Sequence, residues 1–184
     1  MSEETGLPTS LRRYMPENQK FVACISRHII GLLYIYLVIT AAAAALVVIA
    51  AVAAPDLLEG FRGEGLSALT LVTFLLALLF VVVLIIVTNI YRNNNMIITD
   101  QETIQVLQGG VFQVKVSNLS HADIEDVTAE QNGLPATIFN YGTLLIETSG
   151  EMRNFTFKYC PNPTKYARIV LDERQKFNQP PNNQ

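Results

Sequence analysis

Two stretches without a single charge limit what this chain is able to become. Ile29–Ala54 and Leu66–Ile90 contain no Asp, Glu, Lys or Arg. A hydrocarbon core of about 30 Å needs about 20 apolar residues in a helix, so each run is long enough to span it with some tilt. A surface helix of a globular domain returns a polar residue every third or fourth position, and neither run does. The expectation is a two-helix transmembrane hairpin over 29–90, with spans at 29–54 and 66–90. A cleaved signal peptide fits poorly: the first run starts only at residue 29, is too long, and has a second span behind it.

The hairpin divides the rest of the chain into a segment at 1–28, a soluble domain at 91–177 and a polar, Pro-rich tail at 178–184 that should be disordered. Arg12, Arg13, Lys20 and Arg27 precede the first span and Arg92 follows the second. The short connection carries Arg62 against Asp56, Glu59 and Glu64. Positive residues stay in the cytoplasm, so both termini are expected there, with the acidic loop outside and the protein multi-pass in the cell membrane. Alanines at 41–45, 50, 51, 53 and 54 let helix backbones approach closely, either within the hairpin or against another subunit. Neither span holds an ionisable Asp, Glu, Lys or Arg, which leaves a pump or transporter without a proton or ion path. Two cysteines, Cys24 and Cys160, do not make a disulfide framework.

From Met96 the hydrophobic period changes to two. Met96 and Ile98 alternate, then Ile104 and Val106 with Thr103 and Gln105 outward, then Phe112, Val114 and Val116 after a Gly109-Gly110 turn. Ile124 and Val127 have opposite parity, which predicts a bulge. Asn132-Gly133 reads as a further hairpin, and Pro135 marks an edge or a non-strand. Leu144 and Ile146 alternate, as do Phe155, Phe157 and Tyr159. Six or seven short antiparallel strands result. Asn162 then caps a helix with Pro163 in its first turn, running to about residue 175 or 176 with Tyr166, Ile169, Val170 and Phe177 at helical spacing. The fold class is a membrane α-helical hairpin plus a small mainly-β domain with a C-terminal capping helix. On periodicity alone several small barrels and sandwiches remain open.

The sequence resembles the bacterial PH-domain membrane proteins, the YdbS-like group. The resemblance rests on MPENQKFVACISRH before the first span, then on IITDQETIQVLQGGVFQVKV, IEDVTAEQ, IFNYGTLLIETSG and NPTKYARIV in that order after the hairpin. It implies a bent seven-stranded pleckstrin-homology-like barrel capped by a helix. It implies no common catalytic role. Glu102 stands where a basic residue is expected after Asp100-Gln101, which puts a basic ligand contact there in doubt.

No phosphate loop, dinucleotide fingerprint or metalloprotease motif occurs. His28, beside Arg27, reads as an interfacial ring at headgroup level. On an extended strand His121, Asp123 and Glu125 would share a face, as a metal site needs, but no second histidine or cysteine lies near them; no metal and no cofactor is expected. Cys160 lacks a local histidine, so no catalytic residue is assigned and the protein is not expected to be an enzyme. Residues 91–184 hold eight Lys/Arg against ten Asp/Glu. That deficit argues against nucleic acid and leaves anionic headgroup binding only weakly supported. The linker Arg92–Asn95 reaches at most about 14 Å, which holds the domain near the bilayer. The expected function is that of a membrane-apposed scaffold or adaptor, self-associating or binding other membrane proteins. The candidate contacts are the Gln108-Gly109-Gly110 turn and the strand bearing Phe155, Phe157 and Tyr159. A lipid-responsive module is the alternative, and a holin-like pore-forming hairpin the weaker one.

Overall fold

The computed structural model describes residues 7–53, 65–149 and 154–178. The acidic loop at 55–64, Gly150, Arg153 and the tail beyond Asn178 lie outside the described residues. The chain forms two compact units: residues 29–89, and a second unit joining the residues up to His28 with those from Ile90 onward.

The first unit is helical. Helix α1 runs Ile29–Ala53 and α2 runs Gly65–Arg92. Within them Ile29–Ile49 and Thr70–Arg92 are long and apolar enough to cross a membrane. Leu46, Val52 and Phe74 turn outward. Several polar side chains bond to the backbone of their own helix or across to the other one. Thr88 Oγ1 donates to the Leu84 carbonyl at 2.6 Å and Asn89 Nδ2 to the Ile85 carbonyl at 2.8 Å. The Tyr36 and Thr88 hydroxyls meet each other.

Among the described residues the second unit has seven strands in two antiparallel sheets. The first sheet has the order β1 (Phe21–Ser26), β2 (Asn95–Thr99), β3 (Glu102–Gln108), β4 (Val114–Ser120). The second has β5 (Ile124–Glu130), β6 (Tyr141–Thr148), β7 (Phe155–Pro161). A five-residue helix α3 (Leu134–Ile138) joins β5 to β6, and α4 (Pro163–Asn178) follows β7. Two packed antiparallel sheets followed by a helix agree with the barrel and capping helix that the resemblance implies, with one strand contributed from ahead of the helices. Residues 1–28 were expected to stand apart from the domain. Instead Phe21–Ser26 pairs with β2, setting Ile25 against Met96 and Ser26 against Asn95.

The main core lies between the sheets and α4. It is built by Ile25, Met96, Ile98, Leu119, Ile124, Leu144, Ile146, Phe157 and Val170. A second cluster lies on the other face of the first sheet, where Leu7 and Leu11 cover Ile97, Ile104 and Val106. That cover reverses the expected orientation of β3. Thr103 and Gln105 are buried, not outward. Gln105 Nε2 donates to the Thr156 carbonyl at 2.9 Å, tying one sheet to the other. The bulge predicted in β5 lies between Ile124 and Asp126.

Three further expectations are corrected. The β3–β4 connection is a five-residue loop closed by Gly109 N–H donating to Gln113 O at 3.0 Å, so Phe112 lies outside the strand. Asn132-Gly133 leads into α3 and not a hairpin: Gly133 takes φ 90° and Pro135 fits the first turn, where its missing N–H costs nothing. The buried face of α4 is centred on Ala167 and Val170, which turns Phe177 toward solvent.

Candidate functional site

The residues that carry the chain into α1 and out of α2 meet at one end of the β-domain, here termed the junction end. Its scaffold is a run of asparagines. Asn94 Nδ2 donates to the Ile90 carbonyl at 2.6 Å, and Asn95 Nδ2 donates to the Arg92 carbonyl at 3.2 Å. These bonds satisfy carbonyls that a helix end leaves open. The same side chains reach into the sheet. Asn94 Oδ1 accepts from Gln108 N–H at 3.0 Å, Asn93 Nδ2 donates to Gln108 Oε1 at 2.7 Å, and Asn95 Oδ1 accepts from the Ser26 hydroxyl at 2.7 Å. A stretch read from sequence as a short linker is therefore a buried hydrogen-bonded joint, with Asn94 and Asn95 both closed to solvent.

Beside it stands a ledge of aromatic rings around Arg27. Its guanidinium carbon lies 5.7 Å from the Tyr91 ring centre and 5.9 Å from that of Phe157. His28 stacks on Tyr141 at 5.5 Å, Tyr141 on Tyr159 at 6.0 Å, and Tyr159 meets Tyr91 at 6.4 Å. A backbone irregularity places Tyr159. The β6–β7 register shifts beside it and its φ is +57°, a left-handed conformation that a bulged strand imposes. Its carbonyl accepts the His28 N–H at 2.7 Å, and the Tyr91 hydroxyl donates to the His28 carbonyl at 2.6 Å. Burial pulls the Arg27 guanidinium below the usual arginine value, while Tyr91 and Tyr159 act against that shift. The group stays cationic. A shallow cleft opens next to the ledge, lined by Glu130, Asn132, Thr143, Lys158, Tyr141 and Tyr159.

The sequence-predicted contacts separate in the fold. Gln108 is half-buried in the asparagine joint, Gly109 and Gly110 begin the loop beyond it, and Tyr159 belongs to the ledge. Phe157 is wholly enclosed, so its role is packing and not contact, and Phe155 packs half-buried against the same core. Arg27, Tyr91 and Tyr141 escaped the sequence reading because they are far apart in the chain and join only through β1.

The histidine read as a possible metal ligand sits at the opposite end. His121 opens a short 3-10 turn, His121–Asp123, and not a strand, so it shares no extended face with Asp123 and Glu125. It is fully buried, with Nε2 3.3 Å from Thr103 Oγ1. Burial lowers its pKa, and Glu173, Asp100 and Glu102 partly oppose this. Among the described residues no group of three or more His, Cys, Asp or Glu is arranged to hold a metal. Burial also pushes the thiols up, Cys24 to about 11 and Cys160 to about 12, far from the thiolate a nucleophile needs.

The model of the bacterial PH domain family matches residues 25–174, from Ile25 in β1 to Arg174 in α4 and across both apolar helices. The chain belongs to the bacterial PH domain family. No curated protein and no solved structure matches it. A bacterial PH domain, a family that is generally non-enzymatic, combined with two apolar helices fits a membrane-associated PH-like protein.

Proposed function

We propose that this bacterial PH domain protein is an integral membrane scaffold. Two spans keep both termini in the cytosol and hold the β-domain near the inner leaflet, where it recruits a membrane protein or a second copy of itself by strand pairing. The observation that carries the reading is the open edge of β4. The strand is last in its sheet, seven residues long, and pairs only with β3 among the described residues. Val114, Lys115, Val116 and Asn118 are exposed. An edge of that length presents unpaired backbone donors and acceptors to another strand, and confinement to one membrane raises the effective concentration of any partner there. The topology is supported from two sides. Arg12, Arg13, Lys20, Arg27 and Arg92 flank the helices, as the positive-inside rule asks. The pairing of β1 with β2 also requires the chain before α1 and the chain after α2 to lie on one side.

Disulfide cross-linking in native membranes tests this. The native thiols are held protonated by burial, so a cysteine introduced by Ser117→Cys on β4 is the reactive one. Cross-linked adducts should form there, and adding Val116→Lys should remove them, because a charge on an edge blocks pairing. Adducts no more abundant than those from Asp172→Cys on α4 would sink the scaffold reading.

One observation favours a second reading, binding of anionic headgroups. No ion pair joins Arg27 to a carboxylate among the described residues, and its guanidinium lies against the Tyr91 and Phe157 rings. Stability of the whole protein in nanodiscs with and without anionic lipid separates this reading. A gain on adding anionic lipid that Arg27→Gln abolishes supports it, and equal stability in both discs removes it.

A further inference from the structure

Five large apolar side chains of the β-domain face solvent on two separate loops. Phe112 is 99% exposed and Val111 accompanies it on the β3–β4 loop. Leu134 and Ile138, four residues apart on one face of α3, are 79% and 72% exposed, and Phe139 follows them. Neither group belongs to the candidate contacts or to the β4 edge. A soluble domain seldom leaves so many large apolar residues bare unless something covers them.

Their places in the fold say what that is. The β3–β4 loop rises from Gln108, which is hydrogen-bonded by Asn93 and Asn94. Those two residues follow directly on Arg92, the last residue of α2. Helix α3 leads into Tyr141, which stacks on His28, the residue directly before α1. One loop thus lies within a few residues of the chain's exit from its second apolar helix, and the other beside its entry into the first. The charges agree with a lipid surface at this end. Arg27 and Arg92 flank the helices and Arg13 lines a cleft with Asn93 and Gln108, with Glu130 the acidic residue among them. Asp100, Glu102, Asp123 and Glu173 gather at the opposite end around His121, where Lys176 pairs with Glu173 and Lys20 is bonded through its backbone to Asp100. Apolar tips framed by arginines and tyrosines are the composition of a surface that enters the headgroup layer of an anionic bilayer.

We infer that the β3–β4 loop and α3 are two interfacial anchors, with Val111 and Phe112 on one and Leu134, Ile138 and Phe139 on the other. They enter the headgroup layer of the bilayer that the helices cross. The inference rests on α1 and α2 being spans and not on the β4 edge.

The test places an environment-sensitive fluorophore on the full-length protein in nanodiscs of mixed zwitterionic and anionic phospholipid, through Phe112→Cys or Ile138→Cys. Discs with nitroxide-bearing acyl chains serve as quencher. Asp172→Cys gives a water-exposed reference and Leu79→Cys a reference within α2. Labels at 112 and 138 should emit at shorter wavelength than the label at 172 and lose emission in nitroxide discs. Unquenched labels at 112 and 138 beside a quenched label at 79 overturn the inference while the spans stand. A blue shift at 112 or 138 without quenching means that protein covers the tips, which also overturns it. An unquenched label at 79 overturns the span reading and the inference with it.

Discussion

At the junction end of the β-domain, Arg27 lies over Tyr91 and Arg13 over Tyr14, with Phe112 and the Leu134–Ile138 face of α3 bare; at the opposite end, Asp100, Glu102, Asp123 and Glu173 gather near a buried histidine. Both ends close the same sheets, yet one shows arginine, tyrosine rings and bare apolar tips, while the other gathers carboxylates, with Lys176 paired to Glu173 and Lys20 bonded through its backbone to Asp100. A chain of net charge −3 places its aromatic rings and its carboxylates unevenly along the strands. The difference teaches that overall charge is a poor guide to what such a domain faces. The eight-to-ten balance that argued against anionic surfaces averages over two ends with opposite characters.

The comparison is most strongly challenged at the core that both ends share. Phe157 lies beneath Arg27 and is fully enclosed. Phe157→Ala should cost about 3–5 kcal/mol in unfolding of the detergent-solubilised protein. A much smaller loss would mean that the ledge has no firm support. Gly142 comes next. A Cβ there would sit 2.1 Å from the Glu130 carbonyl oxygen and 3.0 Å from Pro163 Cγ. Gly142→Ala should therefore cost about 1–3 kcal/mol by overpacking, read as a lowered melting temperature.

A third experiment addresses the acidic end alone. His121 has its folded pKa lowered from 6.5, chiefly by burial. Below pH 6.5 the unfolded chain takes up a proton that the folded chain resists, so stability falls as pH drops from 6.5 toward the lowered folded value. It is unaffected by this group above that range. The slope reaches at most about 1.4 kcal/mol per pH unit. His121→Gln should flatten it even if the variant starts less stable, and an unchanged slope would assign the acid sensitivity to other groups. The smallest effect is at the junction end. Phe112→Ser touches no packed atom and should change stability in detergent by less than about 0.5 kcal/mol. A larger change would show that the loop supports the fold itself.

Much of this architecture could be read directly. Charge-free runs announced the helices, because hydrocarbon tolerates nothing else. Asn162 with Pro163 announced α4, since a cap and a fixed φ start a helix locally. Opposite parity at Ile124 and Val127 announced the β5 bulge. What escaped depended on partners distant in sequence. FVACIS carries modest strand character and sits in a basic leader, so only its pairing with Asn95–Thr99 reveals β1. Thr103 and Gln105 look like an exposed face until residues from 7 onward cover the other one. The ledge is assembled from residues near 27, 91, 141 and 159, and no local spacing joins them. The adjacent apolar residues of MIIT were the one available hint that β2 is covered on both faces.

The pairing of Ser26 with Asn95 bridges 69 positions of sequence, and the whole hairpin lies between them. On a ribosome, the first strand is finished long before its partner exists, and it must wait while two apolar helices are made. Until Asn95–Thr99 emerges, the strand Phe21–Ser26 has no neighbour, and the row Met96–Ile98 is covered only once the two have met. Closure of the sheet thus comes late in synthesis, and an unclosed sheet offers proteases and chaperones a bare apolar edge.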